Sequence, residues 1–201
     1  GGRMGESLLG YSLLSSDNIH QALQLAQIIE SHNQNRQNIQ TKIVKSINIK
    51  ESEDKNINFF FDKKWHIGIV GIIAGRLMRQ NNKPSFVMTS SNEFVVGSGR
   101  SLGEKNIGQL MMNAAEKGII IKGGGHAKAC GFTLREDQIS DFKSYLYEET
   151  KNISTNNEKY YESLIDLNVI NDNLLKDLEL LSPFGQKNPE PIFKVENVKI
   201  D

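Results

Sequence analysis

Cysteine is almost absent: Cys130 stands alone among 201 residues, so no internal disulfide can form and no cysteine zinc site can be built. A reducing cytoplasm is therefore the expected setting. Long apolar runs are absent too. The most apolar stretch, Ile67 to Ala74, carries two glycines and falls far short of the ~20 residues of a membrane span. The amino terminus lacks the charged-then-apolar pattern of a secretory signal, and no membrane partner is expected. An excess of one charge is also missing, because 24 Lys and Arg balance 24 Asp and Glu. That balance argues against bulk electrostatic coating of nucleic acid and leaves room for a local basic patch. Catalytic constellations are missing as well. A two-metal hydrolytic site gathers several Asp or His ligands on strand ends, yet the chain has no Asp-x-Asp, no paired histidines and no His-x-x-x-His. Ser98 and His126 could approach one another, but no Asp is placed to orient the ring. These residues describe a binding platform without catalytic residues of its own.

The length allows one to two domains of roughly 100–150 residues each. After a capping cluster at Ser15-Ser16-Asp17, apolar residues recur at helical spacing from Ile19 to Ile47, predicting a helix over about 17–47 of roughly 45 Å. A helix of that length reads as a spacer between two bodies; two helices broken near His32 are the alternative. Between 57 and 151 strand patterns (Ile57 to Phe61, Pro84 to Thr89, Glu93 to Ser101, Phe132 to Leu134) alternate with helical ones (Trp65 to Gln80, Ile107 to Lys117, Asp137 to Lys151), predicting one α/β domain. Gly68, Gly71 and Gly75 share a face of the second helix, where small residues would let another backbone approach. Residues 153–159 read as a linker. The tail that follows, with a strand near Tyr160 to Leu167, a short helix at Leu174 to Leu181 and alternation from Val195 onward, reads as the start of another domain.

Two segments carry chemistry, Gly97-Ser98-Gly99-Arg100-Ser101 and Gly123-Gly124-Gly125-His126. Read as glycine-rich loops, they would let backbone N–H groups converge on an anion, with phosphate the obvious guest. Arg100 would add a bidentate contact, Ser98 and Ser101 hydroxyl donors, and His126 a ring N–H. A Gly-Ser-Gly segment on its own is only a turn. Residues 97–128 hold five basic side chains (Arg100, Lys105, Lys117, Lys122, Lys128) against Glu104 and Glu116, a local excess of three that suits a phosphate backbone. His66 reads as a helix cap or packing residue, and His20 and His32 as solvated helix positions.

Taken in order, Trp65-His66-Ile67-Gly68-Ile69-Val70-Gly71, Gly97-Ser98-Gly99-Arg100-Ser101 and Gly123-Gly124-Gly125-His126-Ala127-Lys128-Ala129-Cys130-Gly131-Phe132 closely resemble the RecJ family of single-strand-specific DNA exonucleases. Gly1-Gly2-Arg3-Met4-Gly5 resembles the last motif of that family's catalytic DHH domain. Leu181-Ser182-Pro183-Phe184-Gly185 resembles the lead into its OB-fold. The resemblance implies residues 1–16 as the end of a DHH domain and 17–50 as a linker helix. It implies 51–153 as a DHH-associated α/β domain and 154–201 as the start of an OB-like β domain. It further implies a role in 5′→3′ hydrolysis of single-stranded DNA during recombination and repair. Arg3, Ser98, Gly99, Arg100, Ser101, Gly124, Gly125 and His126 would contact the DNA phosphates. Mn²⁺ or Mg²⁺ would be held by a DHH lobe whose aspartates this chain lacks, so the chain alone would be inactive and bind no metal. The partners implied are single-stranded DNA and that lobe. The alternatives are a non-catalytic nucleic-acid-binding module, or an oligoribonuclease or cyclic-dinucleotide phosphodiesterase of the same superfamily. The Trp-His-x-Gly and Pro-Phe-Gly segments favour RecJ. Cys130 stands where a small alanine is more usual.

Overall fold

The computed structural model describes residues 8–47, 56–103, 105–151, 160–185 and 187–198. The chain forms two compact units, residues 1–155 and 156–201. Arg3, Glu104 and the 153–159 linker lie outside the described residues.

The first unit opens with a short helix α1 (Leu9–Leu14) packed beside a long one, α2 (Ile19–Ser46). The cap is Asn18 rather than the preceding cluster. Its side chain accepts hydrogen bonds from His20 N–H at 2.9 Å and Gln21 N–H at 3.3 Å, satisfying donors that the first turn leaves free. The helix runs unbroken past His32, and the polar middle is bridged along its surface by Gln34–Glu30 and Arg36–Asn33 bonds. Its carboxyl-terminal end packs: Val44 is buried against Ile69, Val70, Ile73 and Leu77. Ile19, Leu23 and Ile28 nearer its start are exposed.

Five strands follow, β1 (Asn58–Phe61), β2 (Ser85–Ser91), β3 (Phe94–Arg100), β4 (Lys122–His126) and β5 (Ala129–Leu134). They are ordered β1-β2-β3-β5-β4 in one sheet. Only β1 and β2 run parallel, because the helix between them, α3 (Ile67–Asn81), supplies the crossover that parallel pairing requires. Of the two roles its sequence position allowed, cap or packing residue, His66 takes the cap of α3, with Nδ1 accepting from Gly68 N–H at 3.0 Å. The β2–β3 hairpin turns on Asn92, at φ 54°, in the left-handed region that Asn tolerates.

Strand alternation sends Val87 toward α3, while Phe86 and Met88 face α4 (Ile107–Glu116) and α5 (Ile139–Thr150). The second face holds the larger core, where the Phe132 and Phe142 rings lie 4.9 Å apart at 56°. Both glycine-rich segments are paired strands, which corrects the loop reading and with it the converging-amide nest. Glycine there yields to bulk arriving from elsewhere. A Cβ at Gly97 would lie 2.3 Å from the Phe132 ring, and one at Gly99 would lie 2.5 Å from Cys130 Sγ.

The second unit is small. It contains a two-residue parallel pair, β6 (Ser163–Leu164) with β7 (Phe193–Lys194), and a helix α6 (Asp172–Glu179) capped by Asn171. None of its described residues is buried. The strand expected over Tyr160 to Leu167 shrinks to those two residues. The alternation from Val195 forms no strand among the described residues, with Asn197 turned to φ 59°.

Candidate nucleic-acid interface

Residues directly opposed across neighbouring antiparallel strands point to the same side of a sheet. The register pairs Arg100 with Ala129 and Ala129 with His126, and one step along it pairs Ser98 with Gly131 and Gly131 with Gly124. Ser98, Arg100, Gly124 and His126 therefore share one face in two adjacent rows. At ~4.8 Å per strand, the Arg100 and His126 backbones stand roughly 10 Å apart. In those two rows only Ala129 and Gly131 lie between the strands, so nothing tall separates the side chains. Helix α3 packs over β2 and β3 on this side, and Gly131 and His126 beyond it are exposed.

Helix α3 shapes the near edge. A Cβ at Gly71 would lie 3.0 Å from Ser98 Oγ and 3.1 Å from Arg100 Nη2, and one at Gly75 would lie 3.8 Å from Arg100 Cγ. Each glycine costs a helix about 1 kcal/mol relative to alanine. The return is space for these two side chains, not for a neighbouring backbone as the sequence suggested. Ser98 Oγ donates to Cys130 O at 3.2 Å and accepts from Arg100 Nη1 at 3.3 Å, while Nη1 also donates to Gly99 O at 2.7 Å. Among the described residues no carboxylate pairs with Arg100. The guanidinium is thus held in place with its charge uncompensated by any described carboxylate.

A second arginine joins it. Arg79 Nη1 would lie 3.7 Å from the Cβ that Gly75 lacks, which brings it beside the Arg100 stem. Its only trace in the sequence is the Gly75/Arg79 spacing of four, one helical turn.

The other residues singled out face elsewhere. Gly99 points into the core against Cys130 and Phe86. Ser101 is buried; its hydroxyl accepts from Gly103 N–H at 3.0 Å and its own N–H donates to Lys128 O at 3.1 Å. Gly125, at φ 149°, faces α4, where a Cβ on Gly108 would lie 2.5 Å from its carbonyl carbon. The three brace the strands that carry Arg100 and His126.

The basic excess divides too. Lys105 is ion-paired with Glu149 at 3.0 Å, and Lys117 Nζ lies 5.2 Å above the Tyr145 ring, so both serve the packing of α5. Arg100, Lys122 and Lys128 have no carboxylate partner among the described residues. Cys130 offers no nucleophile at neutral pH. Burial pushes its thiol up to about 12, against the lowering effects of a Gly99 backbone hydrogen bond and the Arg100 charge.

Residues 41–152 match the DHHA1 domain, and residues 161–201 match the RecJ OB domain. The chain belongs to the DHHA1 family, on its RecJ branch. Its relatives include the single-stranded-DNA-specific exonuclease RecJ of Escherichia coli, 28% identical over 96% of this chain and 36% of that protein. RecJ of Bacillus subtilis is 28% identical over 100% of this chain and 26% of that protein. This RecJ-family chain thus spans about a third or less of those relatives' length. The crystal structure of Thermus thermophilus RecJ in complex with Mn²⁺ shares its fold at a TM-score of 0.84, with 24% identity over 96% of this chain and 29% of the other. A second structure of that protein contains Mg²⁺. Among the described residues of the RecJ-family chain, no three His, Cys, Asp or Glu side chains gather closely enough to hold such an ion. The described residues do not fit a metal site.

Proposed function

We infer that this chain is the strand-gripping part of a 5′→3′ exonuclease that degrades single-stranded DNA in cytoplasmic recombination and repair. The observation that carries this reading is the shared face of Ser98, Arg100, Gly124 and His126, with a braced guanidinium that no described carboxylate neutralises. A phosphodiester presents an anionic, acceptor-only surface; Arg100 and His126 carry the N–H donors that meet it, while Ser98, whose hydroxyl proton goes to Cys130 O, accepts from Arg100 and holds it in place. In this reading residues 1–16 end a DHH catalytic domain, 17–50 link it to the 51–153 binding domain, and 154–201 begin an OB-fold. Arg3 reaches the substrate from the catalytic side. Hydrolysis, with Mn²⁺ or Mg²⁺, belongs to the DHH lobe; this chain holds the phosphates and orients the strand.

The test is binding of 5′-phosphorylated single-stranded DNA to the chain by fluorescence anisotropy across a salt series, together with degradation in added Mn²⁺. Binding without cleavage is expected. Arg100→Ala should weaken binding and lower the salt slope by about one phosphate contact. Unchanged affinity and slope would defeat the reading, and robust cleavage by the chain alone would defeat the assignment of hydrolysis to the DHH lobe.

A further inference from the structure

The two helical layers that cover the sheet carry opposite charge. Helices α2 and α3 hold Arg36, Lys42, Lys45, Arg76 and Arg79 against Glu30 alone. On the other face α4, α5 and the turn Glu136–Gln138 hold Glu116, Glu136, Asp137, Asp141, Glu148 and Glu149 against Lys143 alone. In a chain of zero formal net charge that separation gives the α2–α3 layer a positive field of its own, and this is the layer that borders Arg100.

Three of those cations form a band leading away from Arg100. Arg79 comes first, beside the Arg100 stem across the Cβ that Gly75 lacks. Arg76 stands three residues back on α3, about 4.5 Å along the axis and on the adjoining surface. Its Nη1 donates to Thr41 Oγ1 at 3.3 Å, which carries the band across to α2. Lys45 lies four residues beyond Thr41, one turn along the same stripe of that helix. All three are exposed, and among the described residues none is ion-paired. Glu30, the one acid of this layer, is about 22 Å from Lys45 along α2 at 1.5 Å per residue, and it accepts from Gln34 Nε2 at 3.3 Å. Helix dipoles account for cations in last turns, as Lys45 and Arg79 are. They account neither for Arg76 nor for neighbouring like charges, which repel one another until an anion lies across them.

We propose that this band is a second backbone track for single-stranded DNA. A strand held at Arg100 by one phosphate carries further phosphates over α3, past Arg79 and Arg76, to Lys45 at the end of α2. The proposal rests on the strand-gripping reading and extends its footprint by about three phosphates, one per cation. A row of cations without carboxylates fits a polyanion of regularly spaced charge, and Arg76 uses one donor on Thr41 while the rest of its fork stays available to phosphate. Contacts of this kind position a strand without reading its bases, so binding along the track is independent of sequence and steeply dependent on salt.

The test compares binding of a 5′-phosphorylated dinucleotide and a 5′-phosphorylated oligothymidylate of about twelve nucleotides to the full chain across a salt series. Lys45→Gln combined with Arg76→Gln should lower the long ligand's log–log salt slope by about 1.4, and Arg79→Gln by about 0.7. Affinity for the long ligand should fall several-fold at low salt, while the double variant holds the dinucleotide within about twofold. Arg76→Lys keeps the charge and should keep the slope; a slope lost equally in Arg76→Lys and Arg76→Gln marks a structural brace and overturns the proposal. Lys143→Gln removes one charge from the opposite layer and should change nothing, so an equal loss there, or wild-type behaviour of the band variants, overturns it too. Equal melting temperatures check folding, and Lys45→Gln with Arg79→Gln serves should Arg76→Gln fail to fold. Arg100→Gln separates the two readings. If it weakens both ligands while the band variants change nothing, only the track fails; if it weakens neither, the strand-gripping reading fails and the track with it.

Discussion

Arg100 occupies space that Gly71 leaves empty: a Cβ at Gly71 would lie 3.1 Å from Arg100 Nη2, with Ser98 Oγ at 3.0 Å. A helix glycine and a strand arginine are therefore one device, in which helix propensity is given up so that the guanidinium can lie over α3. Both neighbours are side-chain ends that can shift by a few tenths of an ångström. Gly71→Ala should accordingly keep the fold and recover up to about 1 kcal/mol of helix propensity, while single-strand affinity falls several-fold. Denaturant melts and anisotropy on the same sample check the opposite signs. A loss of stability above about 1 kcal/mol with intact binding would show that the glycine serves packing instead.

Gly97 and Gly124 should respond oppositely to the same substitution. Alanine at Gly97 drives a methyl to 2.3 Å from the Phe132 ring and 2.9 Å from Met88 Cβ, an overpacking worth about 1–3 kcal/mol or more. Alanine at Gly124 enters open space and should be neutral or stabilising by up to about 1 kcal/mol. Urea unfolding of both variants reads this directly, and equal costs would contradict the packing described.

Cys130 makes stability depend on alkaline pH. Burial raises its thiol from 9.0 to about 12, so above pH 9 the unfolded chain gives up a proton that the folded chain keeps. Stability from this group is intact below pH 9 and declines as pH rises toward 12, by about 1.4 kcal/mol per unit within that window. Unfolding free energies from pH 7 to 10.5 should fall more steeply for the wild type than for Cys130→Ala. The native thiol should also resist alkylation at pH 8 until the chain unfolds. Equal slopes, or rapid native alkylation, would contradict the burial.

Much of the fold is legible locally. The α2 stripe, the His66 cap and the strand at Ser85–Ser91 follow from periodicity and neighbouring residues, because helix turns and strand pleats depend on residues a few positions apart. The loop reading of Gly97 to Arg100 and Gly123 to His126 failed for a nonlocal reason. The volume vacated at Gly97, Gly99 and Gly123 is filled by Phe132, Cys130, Ile120 and Met111, none of which local propensity can see. Lys105 and Lys117 looked like part of a phosphate footprint until Glu149 and Tyr145, brought close by α5, engaged them.

By itself the sequence determined the elements, the donors Ser98, Arg100 and His126, and the glycine-rich character of their strands, since all are properties of neighbours along the chain. Tertiary structure alone decided which of those residues meet. Strand β5 enters the sheet between β3 and β4, and pairing through Ala129 and Gly131 sets Arg100 with His126 and Ser98 with Gly124 on one face. That register is chosen by the burial of Phe132 and Leu134 on the other face. A slip of one residue would expose both and scatter the donors.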